Sequence, residues 1–162
     1  TPDGEDGDFY LSKWLTKYPS IGTVNCYDMA KAIVVFANAL GCNAVNTFVE
    51  PFGYVYCIKP IGKEWTNNPF NENPLYSPAL IESLYHPDRS SFARHAFARL
   101  GGWIYDASAG QVDVDGSPHL PSHTPHNLDG NDTWGAYYRA KLIQRGTPGP
   151  LEDKTFVIGE EP

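Results

Sequence analysis

Between Asn25 and Gly41 the sequence reads NCYDMAKAIVVFANALG, and no other stretch restricts the fold as much. Apolar residues recur at Met29, Ile33, Phe36, Ala37 and Leu40, a spacing that puts them on one face of a helix. Asn25 is a favoured N-cap residue, and Gly41 sits where a terminating glycine belongs. A helix over Cys26 to Leu40 is therefore expected. Its first residue poses a question. Cys26 is either a small buried hydrophobe or a nucleophile set at a helix N-terminus, where the local positive potential favours an ionised thiol.

The rest of the chain is a mixed pattern. FYLSKWLTKY, residues 9 to 18, carries Phe9, Leu11, Trp14, Leu15 and Tyr18 at near-helical spacing and predicts a short helix. AVNTFVEP and YVYCIKPI are β-branched and aromatic and predict two strands joined by the turn EPFG. FARHAFARL and WIYDASA predict a hairpin about Gly101-Gly102, a dipeptide suited to a tight turn. WGAYYRAKLI and KTFVI predict two further strands. Residues 62 to 91 and 110 to 133 are polar and predict long loops, the first with one short helix from Pro78 to Tyr85 capped by Ser77. TPDGEDGD, residues 1 to 8, predicts a flexible acidic start. Helices first and antiparallel strands after them imply one α+β domain over residues 9 to 162, with the helices packed on the sheet.

Composition narrows the function classes. At 162 residues, the chain is long enough to bury a core without disulfide staples. Its net charge is −7 with no run of Lys or Arg, which argues against a nucleic-acid partner, since phosphate binding needs a basic stripe. No apolar stretch approaches the length of a membrane span, and no signal peptide is visible. The chain opens on Thr1 and its only methionine is Met29, so it reads as an excised piece of a larger polypeptide whose compartment is unknown. Three cysteines cannot all pair, so at least one of Cys26, Cys42 and Cys57 is a free thiol; Cys42 and Cys57 are read as structural, paired or not.

His95 and Asp106 shift the question about Cys26 towards chemistry. They fall on the two arms of the expected hairpin, where a small register offset makes them cross-strand neighbours able to hydrogen-bond. Such a carboxylate would hold the imidazole in one tautomer, and the imidazole would take the thiol proton. The N–H of Cys26 itself would be one oxyanion donor, because first-turn N–H groups have no intrahelical partner. Metal chemistry is not expected: HLPSHTPH lacks zinc-ligand spacing, and DVDG and LDGND lack the ligand run and closing Glu of a calcium loop. Asp28 reads as a helix-start charge and Glu50 as a solvent-facing strand end.

A cysteine opening a helix that ends in Leu40-Gly41, then RHAF at His95, then WIYDAS at Asp106, resembles the transglutaminase-like superfamily of papain-like cysteine enzymes over roughly residues 21 to 110. Two positions depart from its pattern. Val24 stands where the family commonly has glycine, and Phe97 where an aromatic residue, often Trp, follows the histidine. The resemblance implies a papain-like core, a Cys26-His95-Asp106 triad, no cofactor, and acyl transfer at a protein or peptide amide through a thioester. Water as acceptor would give a peptidase or glutamine deamidase, and an amine a transglutaminase. It also allows an upstream side chain as second oxyanion donor. Trp14, Asn25 and Ser20 are the candidates, Asn25 doubling as a helix cap and Trp14 as a core residue. Superfamily domains often form modules of larger secreted bacterial proteins, which makes an effector or toxin domain a natural setting. Two alternatives remain. One is a peptidoglycan amidase or peptidase of papain-like type, whose cysteine is usually followed by Ser-Gly rather than Tyr27-Asp28; the other is an inert peptide-binding module.

Overall fold

The computed structural model describes residues 8–17, 25–56, 89–108, 111–112, 118–120, 126–127, 138–139 and 142–159. Its longest helix is α2 (Cys26–Ala39), following the short β1 (Phe9–Tyr10) and α1 (Leu11–Lys17). The start of α2 is closed reciprocally. The Asn25 side-chain oxygen accepts the Asp28 N–H at 3.0 Å, and the Asp28 carboxylate accepts the Asn25 N–H at 3.1 Å. At the other end Gly41 takes φ +84°, and the N–H groups of Gly41 and Cys42 donate to the carbonyls of Asn38 and Ala37, the Schellman arrangement that only a residue at ease in left-handed backbone completes.

Beyond this cap the chain enters β2 (Val45–Val49), and Asn38 steers the turn by bonding both backbone groups of Ala44. β2 lies between β4 (His95–Leu100) and β10 (Leu151–Lys154) in an antiparallel five-stranded sheet of order β10-β2-β4-β5-β8, completed by β5 (Trp103–Tyr105) and β8 (His126–Asn127). Arg99, Thr47 and Asp153 bond across three strands on the way to the β10 edge: the guanidinium donates to both Asp153 oxygens at 2.6 Å, and the Thr47 hydroxyl to one at 2.8 Å.

Alternation along β4 organises the packing. Ala96 and Ala98 face α2, where Ala30 and Val34 lie against them together with Tyr27, Phe48 and Ala44. His95 and Phe97 face the other way, into a cluster of Val49, Phe52, Val55, Phe97, Ile104, Tyr138 and Leu142. Both faces of the central strands are therefore covered, and the fold is mixed α+β with an antiparallel main sheet, as the sequence implies.

Several elements differ from expectation. Phe9 and Tyr10 are not helical; they pair in parallel with β11 (Ile158–Gly159), and helix begins only at Leu11. Only part of the expected apolar stripe of α2 is buried: Met29 is covered and Ile33 and Ala37 pack partly on the core, while Phe36 and Leu40 stand 43% and 85% exposed. The helix is covered on two sides, by the sheet through Ala30 and Val34 and by Phe9 through Ala32 and Val35. β2 and β3 (Tyr54–Val55) form no hairpin; β3 pairs with β9 (Ile143–Arg145). WGAYYRAKLI is not a strand at its described positions before Ile143, where Tyr138 and Arg139 lie in a wide helical turn. KTFVI contributes only ends, Lys154 to β10 and Ile158 to β11. The segment 110 to 133, expected as loop, holds β6 (Gln111–Val112) paired with β7 (Pro118–Leu120), as well as β8. The helix expected from Pro78 to Tyr85, and nearly all of the first polar segment and acidic start, lie outside the described residues.

Two backbone contacts fix the loop after β2. Gly53 and Phe92 form a bridge, with the Gly53 N–H donating to Phe92 O at 3.0 Å and the Phe92 N–H returning to Gly53 O at 2.8 Å. The Gly149 N–H donates to Pro51 O at 2.8 Å, and a Cβ at Gly149 would collide with the carbonyl of Glu50. Since neither contacting group is a flexible side chain, Gly149→Ala should destabilise the domain by about 1–3 kcal/mol. Thermal melting would read this as a Tm several degrees lower, and an unchanged Tm would show that the two segments separate freely.

Candidate functional site

The hairpin predicted about Gly101-Gly102 forms as a two-residue turn, with both glycines at positive φ (54° and 84°) as a tight primed turn requires. Its register pairs Leu100 with Trp103, Arg99 with Ile104 and Ala98 with Tyr105. One step on, Asp106 faces Phe97, which makes it the diagonal neighbour of His95 on the same face of the sheet. The two side chains meet: His95 Nε2 and Asp106 Oδ2 are 2.7 Å apart, and each residue is 4% exposed.

Cys26, at the first position of α2, reaches the imidazole from the other side. It lies close enough for its charge to act on the His95 ring and help hold the imidazole proton. Nε2 is taken by Asp106, which leaves Nδ1 as the ring nitrogen not engaged by the carboxylate. Phe52 stacks beside the imidazole at 4.6 Å between centroids, with Phe97 at 6.1 Å on its own strand. Cys26 is the half-buried member of the three, so the thiol meets solvent while the two groups behind it are covered.

Four donors surround the Asp106 carboxylate. Oδ2 receives the Tyr138 hydroxyl as well as His95, and Oδ1 receives the Ser108 N–H at 2.9 Å and the Ser108 hydroxyl at 2.8 Å. Burial alone would raise the Asp106 pKa, but the His95 charge and the hydrogen bonds from His95, Tyr138 and Ser108 outweigh it and lower the pKa below the usual 3.8. For His95, burial acts to lower the pKa; the charges of Asp106 and Cys26 and the bonds to both prevail and raise it from 6.5 to about 10. Burial, then the Asp106 charge, push the Tyr138 hydroxyl well above its usual 10, so it remains a donor.

The candidate oxyanion donors fare differently. Trp14 is not brought to the site: it packs on Phe9 at 5.6 Å in a cluster with Ala32 and Val35, two turns along α2 from Cys26. Asn25 adjoins Cys26, but its side-chain oxygen is committed to the helix cap. The capping box uses the N–H groups of Asn25 and Asp28, and the Cys26 N–H lies between them in the first turn of α2. Asp28 is the helix-start charge expected, buried and closing the capping box, and Glu50 is exposed as expected. Cys42 is a half-buried free thiol. Ser20, Cys57, His123, DVDG and LDGND lie outside the described residues. No helix among the described residues is long and apolar enough to cross a membrane.

Two members of the site are absent from the sequence-based reading. Ser108 carried a signal, since an Asp two residues before a Ser is the spacing at which a side chain accepts a turn N–H. Tyr138 carried none, being 32 residues from Asp106 in a stretch that reads as strand. Comparison with family models, curated proteins and solved structures finds no match for this chain.

The pH dependence of stability follows from these shifts. The folded chain keeps a proton on His95 that the unfolded chain releases above 6.5, so this contribution is whole below pH 6.5 and disappears as pH rises through about 10. Asp106 behaves oppositely: its contribution is present above 3.8 and fades as pH falls through its lowered value. Melting temperature should therefore decline from neutral to alkaline pH in the wild type and decline less in His95→Gln. Parallel curves would show that the His95 proton is not coupled to folding.

Proposed function

We propose that the chain is a cysteine-dependent acyl-transfer enzyme acting on a protein or peptide amide, with a papain-like, transglutaminase-like core. The observation that carries this reading is the buried His95–Asp106 pair at 2.7 Å, with Cys26 on the first turn of a helix near enough for its charge to act on the imidazole. A buried structural histidine needs no thiol beside it, and a buried structural cysteine needs no imidazole. The shielding of His95 and Asp106 behind a partly exposed thiol also suits a nucleophile that meets its substrate at the surface.

On this reading Cys26 Sγ attacks the amide carbonyl carbon, and the carbonyl π electrons move to oxygen to give a tetrahedral oxyanion. The N–H of Cys26 itself, in the first turn of α2, is the donor assigned to that charge. Collapse breaks the C–N bond, and His95, holding its proton through neutral pH, protonates the departing amine. A thioester on Cys26 remains. Water or an amine then attacks the thioester while His95 accepts the nucleophile's proton, and C–S cleavage in the second tetrahedral intermediate releases an acid or a new amide and restores the thiolate and imidazolium pair. Asp106 stays ionised throughout and holds Nε2–H, so that Nδ1 stays free of the carboxylate.

Two measurements test this. Iodoacetamide labelling followed by mass spectrometry should mark Cys26 ahead of Cys42, and His95→Ala should remove that preference; equal, His95-independent labelling would return Cys26 to a packing role. On glutamine-containing or generic peptide amides, ammonia or amine release should vanish in Cys26→Ala and fall by roughly 10³-fold or more in His95→Ala. Turnover that survives Cys26→Ala would exclude the thiol as nucleophile.

A further inference from the structure

The Asp106 carboxylate offers about four acceptor positions, and all four are filled. His95 Nε2 and the Tyr138 hydroxyl share Oδ2, while the backbone and hydroxyl of Ser108 share Oδ1. Two donors come with the turn after β5, one from β4, and the fourth from a segment more than thirty residues away. Tyr138 is fully buried in the cluster of Phe97, Ile104 and Phe52, with its ring 5.3 Å from that of Phe97, so packing alone accounts for the ring. Packing does not account for the hydroxyl. Phenylalanine would fill the same space without adding a polar group to an apolar cluster, where such a group is costly unless bonded.

We propose that Tyr138, assisted by Ser108, is a positioning residue of the site: its hydroxyl donates to the same Asp106 oxygen that His95 uses and holds the carboxylate in the orientation that faces Nε2. This rests on the thiol and imidazole reading above and deepens it. With Oδ2 bonded from two sides and Oδ1 from two more, the carboxylate cannot rotate without breaking a bond to its ionised form. The titratable groups facing it are His95 from β4 and Tyr138, and Cys26 from α2 acts on both of these through its charge. Removing the hydroxyl leaves Oδ2 with one donor fewer, so Asp106 protonates at a higher pH and releases its hold on His95 sooner as the solution is acidified.

The test is the pH profile of Cys26 alkylation, read by mass spectrometry in the wild type, Tyr138→Phe, Ser108→Ala, Asp106→Asn, the Tyr138→Phe/Asp106→Asn double variant and His95→Ala. Tyr138→Phe keeps the ring and is expected to melt cooperatively, with the acid limb of its profile moved up by about half a pH unit or more. Ser108→Ala, which retains the backbone donor, should move the limb in the same direction by less. In the Asp106→Asn background Tyr138→Phe should add nothing, because its route to the imidazole runs through the carboxylate. A Tyr138→Phe profile superimposed on the wild type, in a protein where His95→Ala does abolish fast labelling, overturns the positioning role and leaves the wider reading standing. Labelling indifferent to His95→Ala removes the wider reading and this inference with it. Should Tyr138→Phe fail to fold, the Ser108→Ala profile decides: a shifted limb supports the donor set, and an unmoved one overturns it.

Discussion

An ionised carboxylate sits in the middle of an apolar cluster, and the surroundings of Asp106 make sense once that is granted. A charge taken out of water must recover its lost hydration from fixed donors or surrender to a proton. Here the donors come from three separate stretches of chain, so the group that most resists burial also ties them together. The hairpin turn sets the diagonal offset, β4 supplies the imidazole, and Tyr138 closes the cluster beneath. Loss of any one donor would be felt at the others, because they act on one pair of oxygens.

Alternation in β4 separates two tasks that might otherwise conflict. Alanines at positions 96 and 98 let α2 come close to the sheet, which brings its first residue to the strand end where His95 stands. The opposite face takes the bulky and polar residues, so His95 is held by aromatic neighbours on a side that the helix does not touch. Thiol and imidazole thus approach from different layers and meet at the end of β4. Cys26 needs only the helix start for its position, and the start is held by a capping box independent of the sheet.

What the sequence made legible was local. The helix from Cys26, its Asn25 cap and its Gly41 terminus depend on residues within a few positions of one another, and so does the hairpin about Gly101-Gly102; these place Cys26, His95 and Asp106. Illegible were features decided by distant partners. Phe9 and Tyr10 have helical spacing but are claimed by β11 at the far end of the chain. Met29, Ile33, Phe36 and Leu40 fall on one face, yet Phe36 and Leu40 are exposed while Ala30, Val34 and Val35 are buried, because small residues fit where the sheet presents alanine. Tyr138 belongs to the site only through a contact across the fold, and Trp14 is kept from it by Phe9.

The bridge between Gly53 and Phe92 has one more consequence. It joins the ends of everything the chain inserts between β3 and β4, directly beside the residues that flank His95. With the two ends already tied, the entropy of closing the intervening chain grows only with the logarithm of its length, about 0.6 kcal/mol for each doubling. Length added between Gly53 and Phe92 therefore changes little in the cost of holding these two residues together near His95. The frame around Cys26, His95 and Asp106 thus carries its insertion on a pair of backbone hydrogen bonds rather than on the length of the chain between them.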